Sequence, residues 1–554
     1  MAARSRIRMM GGDELLRDAC RAAVIVCALA LFGACSSIKQ PDSVYEEPDY
    51  TAEDVRKEEI KRIEEMLGKN PVQALWRATL LGDADTISRC EDAVVAQYTE
   101  ELEKENYYGA KTLYKSLAAV SSEKVFSLPK NYSELDKLCT DRVPGLKKIN
   151  SSLQRVSGYI NGTVTIWVDK GLAVKNGMGY ADRVIGSGFF ISKDGYIITN
   201  NHVIADVVDT KSKSYAKLFI KLAEDSDTRI PAKVVGWDPV IDLALLKTEV
   251  DAPFVFNLGS SADLDVGDKI YCIGSPVGLE RTLTSGIVSA TDRKLFSLGD
   301  VMQIDAAVNS GNSGGPCIDS NGNVQAIVFA GMLQFEGLNF AIPVEYLKGE
   351  LPALHAGGKL SHPWIGCFGH TKKTLGKDSG LELQYVLPGG SASRAGMKAG
   401  DVIVAIDGQR VQTLEDMQNI LIKESAKSIV PITYRTEDDE VRTSAVYLAV
   451  RPENPGYAVY SSDIIANSFV PIFGMKLANA STSSRNKYTI TSLIRGSIAD
   501  ESGFSENDAI EIRKVTFDSE NSALYAEVYT KNRKKGYLDV VMAIGAKLDS
   551  PYYF

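Results

Sequence analysis

Between residues 155 and 350 the chain is a succession of short runs rich in Val, Ile, Phe and Tyr: YINGTVTIWV, GSGFFIS, GYIITN, KLFIKL, IYCIGS and GNVQAIVFA. Gly and Asp turns separate them, and Asp194-Gly195 stands between two of the runs as a hairpin signal. No helical stripes lie between these strands, which points to barrels or sandwiches built on antiparallel sheets. A length of 554 residues leaves room for about three to five domains of roughly 100–200 residues. Inside the strand-rich region, residues 311–316 read GNSGGP, a single hydroxyl among three glycines. Such letters also make an ordinary tight turn, so the surroundings of Ser313 have to decide its role.

Charge and the N-terminus narrow the class. The net charge is −9, with 44% hydrophobic and 24% charged residues, a soluble globular composition. An acidic balance argues against a nucleic-acid partner, because phosphate binding requires a basic surface. Arg4, Arg6, Arg8, Arg17 and Arg21 precede the apolar run Ala22–Ala34, which is shorter than the ~20 residues of a membrane span. Basic residues, a short apolar run and small residues describe an export signal over residues 1–34. Its end, Phe32-Gly33-Ala34-Cys35, resembles a bacterial lipobox with Phe32 where leucine is usual. Cys35 is thus the expected lipid attachment point, an ordinary cleaved signal peptide being the alternative. Residues 35–50 then form a polar tether. Cys90, Cys139, Cys272, Cys317 and Cys367 remain, an odd and scattered set that makes no disulfide framework. A Cys90–Cys139 bridge stays open. No metal-ligand spacing occurs, and neither metal nor cofactor is expected.

Residues 51–150 read as a small helical module. Thr51 with Asp54 suggests an N-cap, Ile60, Ile63 and Leu67 repeat at helical spacing, and Gly68 ends the first helix. Pro71 opens a second helix that Gly82 closes. Ile87, Cys90, Val94, Tyr98 and Leu102 make a third stripe, and Ala110, Leu113, Leu117 and Val120 a fourth, weakly like tetratricopeptide hairpins. The C-terminal part holds an internal repeat. Trp364-Ile365-Gly366-Cys367 is followed by GSASRAGMKAGDVI from Gly390, and Ile472-Phe473-Gly474-Met475 by GSIADESGFSENDAI from Gly496. Asn507 replaces Gly400 between the copies, as the residue that best tolerates positive φ after glycine. The two copies span about residues 358–450 and 456–554.

A serine becomes a nucleophile when a base takes its proton and a third group orients that base. Between 155 and 350 the one histidine is His202, within ITNNHVI. Asp242, opening the strand DLALLK, is preferred over Asp238 as the orienting carboxylate. His202, Asp242 and Ser313 then follow a chain order known for this geometry. Backbone N–H groups of Gly311 and Ser313, with Asn312 shaping the turn, would form an oxyanion hole.

The stretches GSGFFISKDGYIITNNHVI, DPVIDLALLK, LGSSADLDVGDKIYCIGSPVGL, TSGIVSA and QIDAAVNSGNSGGP closely resemble the HtrA (Deg) serine endoproteases over about residues 155–554. The departures are GSPVGL, where GNPFGL is common, and the helical residues 51–150, for which the family offers no counterpart. The resemblance implies a mainly β chain: a chymotrypsin-like double β-barrel at 155–350 plus two PDZ domains, preceded by the helical module. It implies a substrate pocket at Ala307, Ile327, Phe329, Gly331 and Asn339 that favours cleavage after Val, Ala or Ile. It also implies PDZ peptide-binding loops at Ile365, Gly366 and Cys367 and at Phe473, Gly474 and Met475. The capped helix Thr413–Ile422 would be the other wall of the first groove, and the second copy either binds a peptide or packs internally. The expected function is ATP-independent cleavage of unfolded or mislocalised proteins by a lipid-anchored homo-oligomer on the extracytoplasmic side of the bacterial envelope. A chaperone or scaffold with low or conditional proteolysis is the alternative.

Overall fold

The computed structural model describes residues 40–41, 43–148, 156–175, 177–209, 216–225, 227–275, 282–295, 297–331, 338–480, 486–532 and 538–554. The export signal, Cys35 and the start of the tether lie outside the described residues. Contacts divide the chain into two compact units, residues 45–453 together with 550–554, and residues 454–549 together with the segment up to Val44.

Five helices open the first unit: α1 (Glu53–Leu67), α2 (Pro71–Leu81), α3 (Ala84–Glu103), α4 (Tyr107–Ala119) and α5 (Tyr132–Arg142). Pro71 and left-handed Gly82 bound α2, as the sequence implies. Thr51 does not cap α1. Its hydroxyl donates to Asp49 at 2.6 Å, and Ala52 stands at the cap position. A capping box of Asn131 and Glu134 starts α5, for which the apolar stripes gave no sign.

Helix α6 (Val156–Asn161) leads into two barrels. The first holds β1 (Thr163–Lys175), β2 (Met178–Phe190), β3 (Tyr196–Thr199), helix α7 (Asn201–Val208), β4 (Lys217–Lys221), β5 (Ile230–Asp238) and β6 (Leu243–Thr248). Its strand order is β5-β4-β1-β2-β3-β6, closed by pairing of β5 with β6, and the Asp194-Gly195 turn joins β2 to β3. The second holds β7 (Lys269–Gly274), β8 (Thr282–Arg293), β9 (Val301–Ile304), β10 (Pro316–Ile318), β11 (Val324–Gly331) and β12 (Asn339–Pro343), closed in the order β10-β11-β12-β9-β8-β7. Cys272 and Cys317 face each other across β7 and β10 as free thiols, the Cys272 thiol donating to Cys317 Sγ at 3.6 Å. Cys90 and Cys139 are also free, so the bridge left open by the sequence is not formed. Helix α8 (Val344–Ala356) packs on the first barrel, and β13 (Gly358–Lys359) joins β5 in parallel.

The first repeat comprises β14 (Pro363–Trp364), β15 (Cys367–Thr374), β16 (Lys377–Val386), α9 (Ser391–Arg394), β17 (Val402–Ile406), β18 (Gln409–Arg410), α10 (Leu414–Leu421), β19 (Ser428–Arg435) and β20 (Val441–Val450). Its sheet runs β14-β20-β19-β17-β16-β15, leaving β15 at an edge. The helical module docks on the opposite side of this sheet. Trp76 donates its indole N–H to the Ala445 carbonyl at 2.8 Å and stacks on Tyr447, and Lys115 bridges Glu424 and Asp407.

The second repeat comprises α11 (Pro455–Ser462), α12 (Ile465–Phe473), β21 (Met475–Asn479), β22 (Lys487–Leu493), α13 (Ile498–Glu501), β23 (Ala509–Asp518), β24 (Ala523–Asn532) and β25 (Leu538–Lys547). The copies share their backbone bonds. Leu387 N–H donates to Gly366 at 2.7 Å and Ile494 N–H to Gly474 at 2.8 Å; Gly400 N–H donates to Leu383 at 2.7 Å and Asn507 N–H to Ile490 at 2.8 Å. Asn507 takes φ 66°, as its place opposite Gly400 requires. The copies differ between β23 and β24, where a tight turn replaces the helix that stands before β19 in the first copy.

Candidate active site

Strand β3 ends in Thr199, and His202 sits in the first turn of α7. Asp242 lies in the turn before β6 with φ 64°, a conformation that Asp tolerates better than most side chains. One of its carboxylate oxygens accepts from the backbone N–H of His202 at 2.7 Å, and the other lies 2.7 Å from the ring Nδ1. Its carbonyl accepts from Asn200 Nδ2 at 2.8 Å and from Asn201 N–H at 3.2 Å. The imidazole is therefore fixed in position while its side chain stays 47% exposed. Asp238, the carboxylate passed over in the sequence, is turned away from His202 and bonds His362 at 2.9 Å.

Ser313 lies between the glycines before β10. A Cβ on Gly314, whose φ is 84°, would meet the Ser187 carbonyl at 2.2 Å and the Thr199 hydroxyl at 2.4 Å. Only glycine lets the serine loop lie this close to β2 and β3. Among the described residues, the N–H groups of Gly311 and Ser313 meet no acceptor, whereas Asn312 N–H donates to Asn309 at 3.0 Å. Asn312 thus shapes the turn and supplies no oxyanion donor. The Ser313 hydroxyl donates to the Phe329 carbonyl at 3.2 Å. Among the described residues the His202–Asp242 link is made and the Ser313–His202 link is not.

Of the expected pocket, Ala307 is exposed and accepts from the Thr284 hydroxyl at 3.0 Å. Phe329 is half-buried beside Phe340, and Gly331 pairs with Asn339 across β11 and β12. Asn339 is buried and donates from Nδ2 to the Ala306 carbonyl at 2.8 Å, a brace for the backbone beside Ala307. Ile327 does not line the pocket. It is fully buried in the cluster of Ile273, Ile318 and Ile342, against which the half-buried Phe329 also packs from the same face of β11.

Ser187 was not singled out by the sequence. Its hydroxyl donates to the Gly311 carbonyl at 2.6 Å and accepts from Ser275 N–H at 2.9 Å, while its own N–H donates to the Ser313 carbonyl at 2.8 Å. It ties the serine loop to both barrels. The only signal was a small polar residue between Gly186 and Gly188.

Asp238, Glu350 and His362 are the one group of described residues with metal-ligand chemistry, their ligand atoms lying within 4.8 Å of one another. They are fully buried and already bonded internally through His362 and Asp238. Burial acts to raise Asp238, but the His362 charge, the ring hydrogen bond and Val240 N–H bring it below the usual carboxylate range. Burial and the neighbouring Asp238 carboxylate push Glu350 well above that range. Among the described residues neither Glu350 oxygen meets an N–H or O–H donor, which suits a protonated acid and not a buried carboxylate.

In the first repeat, Gly366 takes φ 83° and the loop Ile365–Cys367 faces helix α10, held by a Thr413–Asp416 capping box. In the second, Phe473 and Met475 are buried in their own core, and Gly474 N–H closes α12 by donating to Phe469 and Val470. With that donor used and, among the described residues, no helix between β23 and β24, the second loop fits the internal-packing alternative that the sequence left open.

Residues 186–327 match the trypsin-like peptidase domain family, residues 384–436 the PDZ domain family and residues 456–548 the TP0546 family PDZ domain. The chain carries a trypsin-like peptidase domain and two PDZ domains. Residues 54–139 match a domain of unknown function, DUF8517. A protein of Pseudomonas fulva (strain 12-X) described as a probable periplasmic serine endoprotease DegP-like is 36% identical over 286 residues, covering 49% of this chain and 57% of that protein. One of Bartonella henselae with the same description is 40% identical over 244 residues, covering 42% of this chain and 46% of that protein. The chain thus spans about half the length of these curated relatives. A solved structure titled HtrA-type protease AlgW with tripeptide is 28% identical with a TM-score of 0.45, covering 54% of this chain and 96% of that one.

Proposed function

We propose that this chain is a serine endoprotease acting outside the cytoplasm, cleaving unfolded or mislocalised polypeptides without ATP. Ser313 is the nucleophile, His202 the general base and Asp242 the group that orients the base. The observation that carries this reading is the double grip of Asp242 on His202, through its backbone N–H and Nδ1 at 2.7 Å each. That grip holds Nε2 as the proton acceptor. On substrate binding the Ser313 hydroxyl leaves the Phe329 carbonyl for His202 Nε2, and Oγ attacks the scissile carbonyl. The oxyanion then takes the N–H groups of Gly311 and Ser313, worth about 3–4 kcal/mol in sites of this kind. His202 returns the proton to the leaving amine, and water repeats the sequence on the acyl-enzyme.

A second reading, a chaperone or scaffold with conditional proteolysis, is favoured by the hydroxyl of Ser313 resting on Phe329. Degradation of reduced casein by wild type and by Ser313→Ala separates the two. Loss of cleavage in the variant supports the protease, and equal rates would overturn it. The anchor belongs to the same reading. Acylation of Cys35, with more than one lipid chain, would hold the enzyme stably at a membrane. Cys35→Ser should then move the protein from the detergent to the aqueous phase in Triton X-114, and aqueous wild type would end that proposal. Assembly into a homo-oligomer is part of the proposal too, checked by sedimentation.

A further inference from the structure

Strand β15 is the free edge of the first PDZ sheet, and such an edge can accept an added strand. Residues 552–554 of this same chain lie along it, antiparallel, with Phe368 opposite Tyr553. Cys367 N–H donates to the Phe554 main-chain oxygen at 2.8 Å, Phe554 N–H returns a bond to the Cys367 carbonyl at 3.0 Å, and Gly369 N–H donates to Tyr552 at 3.2 Å. Across the groove, Gln418 of α10 donates from Nε2 to the Pro551 carbonyl at 2.9 Å. The segment therefore touches both walls.

Its side chains are fitted as well. Phe554 is 1% exposed and belongs to the core cluster of Ile365, Met417 and Leu421. Tyr552 stacks on His370 with ring centroids 4.0 Å apart at 26°, and Tyr553 meets Phe368 edge-on at 5.2 Å. Two aromatic contacts and a buried phenyl ring add to three strand bonds, a combination that no incidental contact of a polar loop would supply.

We propose that Pro551–Phe554 is a resident ligand in cis of the first PDZ domain, so that this groove selects peptides of the pattern Tyr-x-Phe, and any such peptide in trans must first displace it. The inference rests on the peptide-groove reading of this PDZ domain and not on catalysis. Covalent attachment gives the resident segment an effective concentration that a free peptide has to exceed.

The test is binding of a fluorescein-labelled peptide of residues 549–554, followed by anisotropy with the full chain. Phe554→Asp would expel the segment, since an unpaired carboxylate is not tolerated in that cluster. Tyr552→Ala is the milder companion that keeps Phe554 in place. The labelled peptide should bind Phe554→Asp at least tenfold tighter than wild type and Tyr552→Ala by a smaller factor, and adding His370→Ala to Phe554→Asp should weaken it again. Equal binding by wild type and both folded variants would overturn the proposal. So would loss of the PDZ fold in both variants, judged by circular dichroism, which would make the segment a part of the core and not a ligand.

Discussion

The molecule contains two His–Asp pairs of nearly equal length, His202–Asp242 at 2.7 Å and His362–Asp238 at 2.9 Å, in very different surroundings. In the first the ring is 47% exposed at the mouth of the serine loop; in the second it is 5% exposed, and a second acid, Glu350, closes the group. The chemistry of the two rings is the same, so access decides what each can do. An exposed ring nitrogen can meet a substrate and exchange protons. A ring enclosed with two acids can only hold β5, α8 and the approach to the first PDZ domain together.

The contrast is tested most severely by removing charge from one pair at a time. Asp242→Asn should lower turnover by about 10⁴-fold, because the wrong imidazole tautomer is then held. Asn accepts positive φ, so the melting temperature should hardly move. A variant with near-wild-type turnover would break the assignment. His362→Ala should do the reverse, costing about 3 kcal/mol in urea unfolding by leaving Asp238 buried without its partner. Cleavage per folded molecule should be retained, and a loss of turnover without a loss of stability would erase the distinction.

The smallest expected effect is in the pH dependence of stability. Glu350 holds its proton more tightly folded than unfolded. The stability tied to that proton is complete below the ordinary Glu range and is lost as pH rises toward the raised folded value. Asp238 runs the other way, its share being present above the ordinary Asp range and lost as pH falls through its lowered value. Glu350→Gln carries no proton to lose. Its melting temperature should therefore improve relative to wild type as pH rises above the ordinary Glu range, and parallel curves would show that Glu350 is ionised throughout.

His202, Asp242 and Ser313 could be proposed from the sequence because each sits in a local pattern: a histidine after an apolar strand, an aspartate opening one, a serine among glycines. Asp242 and not Asp238 bonds His202, because the loop before β6 turns only the former toward α7. What the sequence could not carry was contact between distant residues. Ser187 looks like a spacer until its bonds to Gly311 and Ser275 are seen, and Ile327, on the same face of β11 as Phe329, lies deeper in the core than the pocket. The second PDZ copy kept the backbone bonds of the first, legible from Gly474 and Asn507, but a turn replaced its groove helix. That loss follows from the short chain between β23 and β24, which the loop motif alone does not reveal. The occupant of the first groove was invisible too, since nothing in PYYF announces a partner near Cys367.

The docking of Trp76 on Ala445 spans 369 residues of chain. On any path where the N-terminal end emerges first, α2 exists long before the hairpin of β19 and β20 that it covers. During that interval the indole and the neighbouring apolar face have no home, and a contact this remote in sequence forms late. The helical module is thus a waiting part whose burial completes only when the first PDZ domain has been made. An interrupted chain would present that sticky face to whatever is nearby.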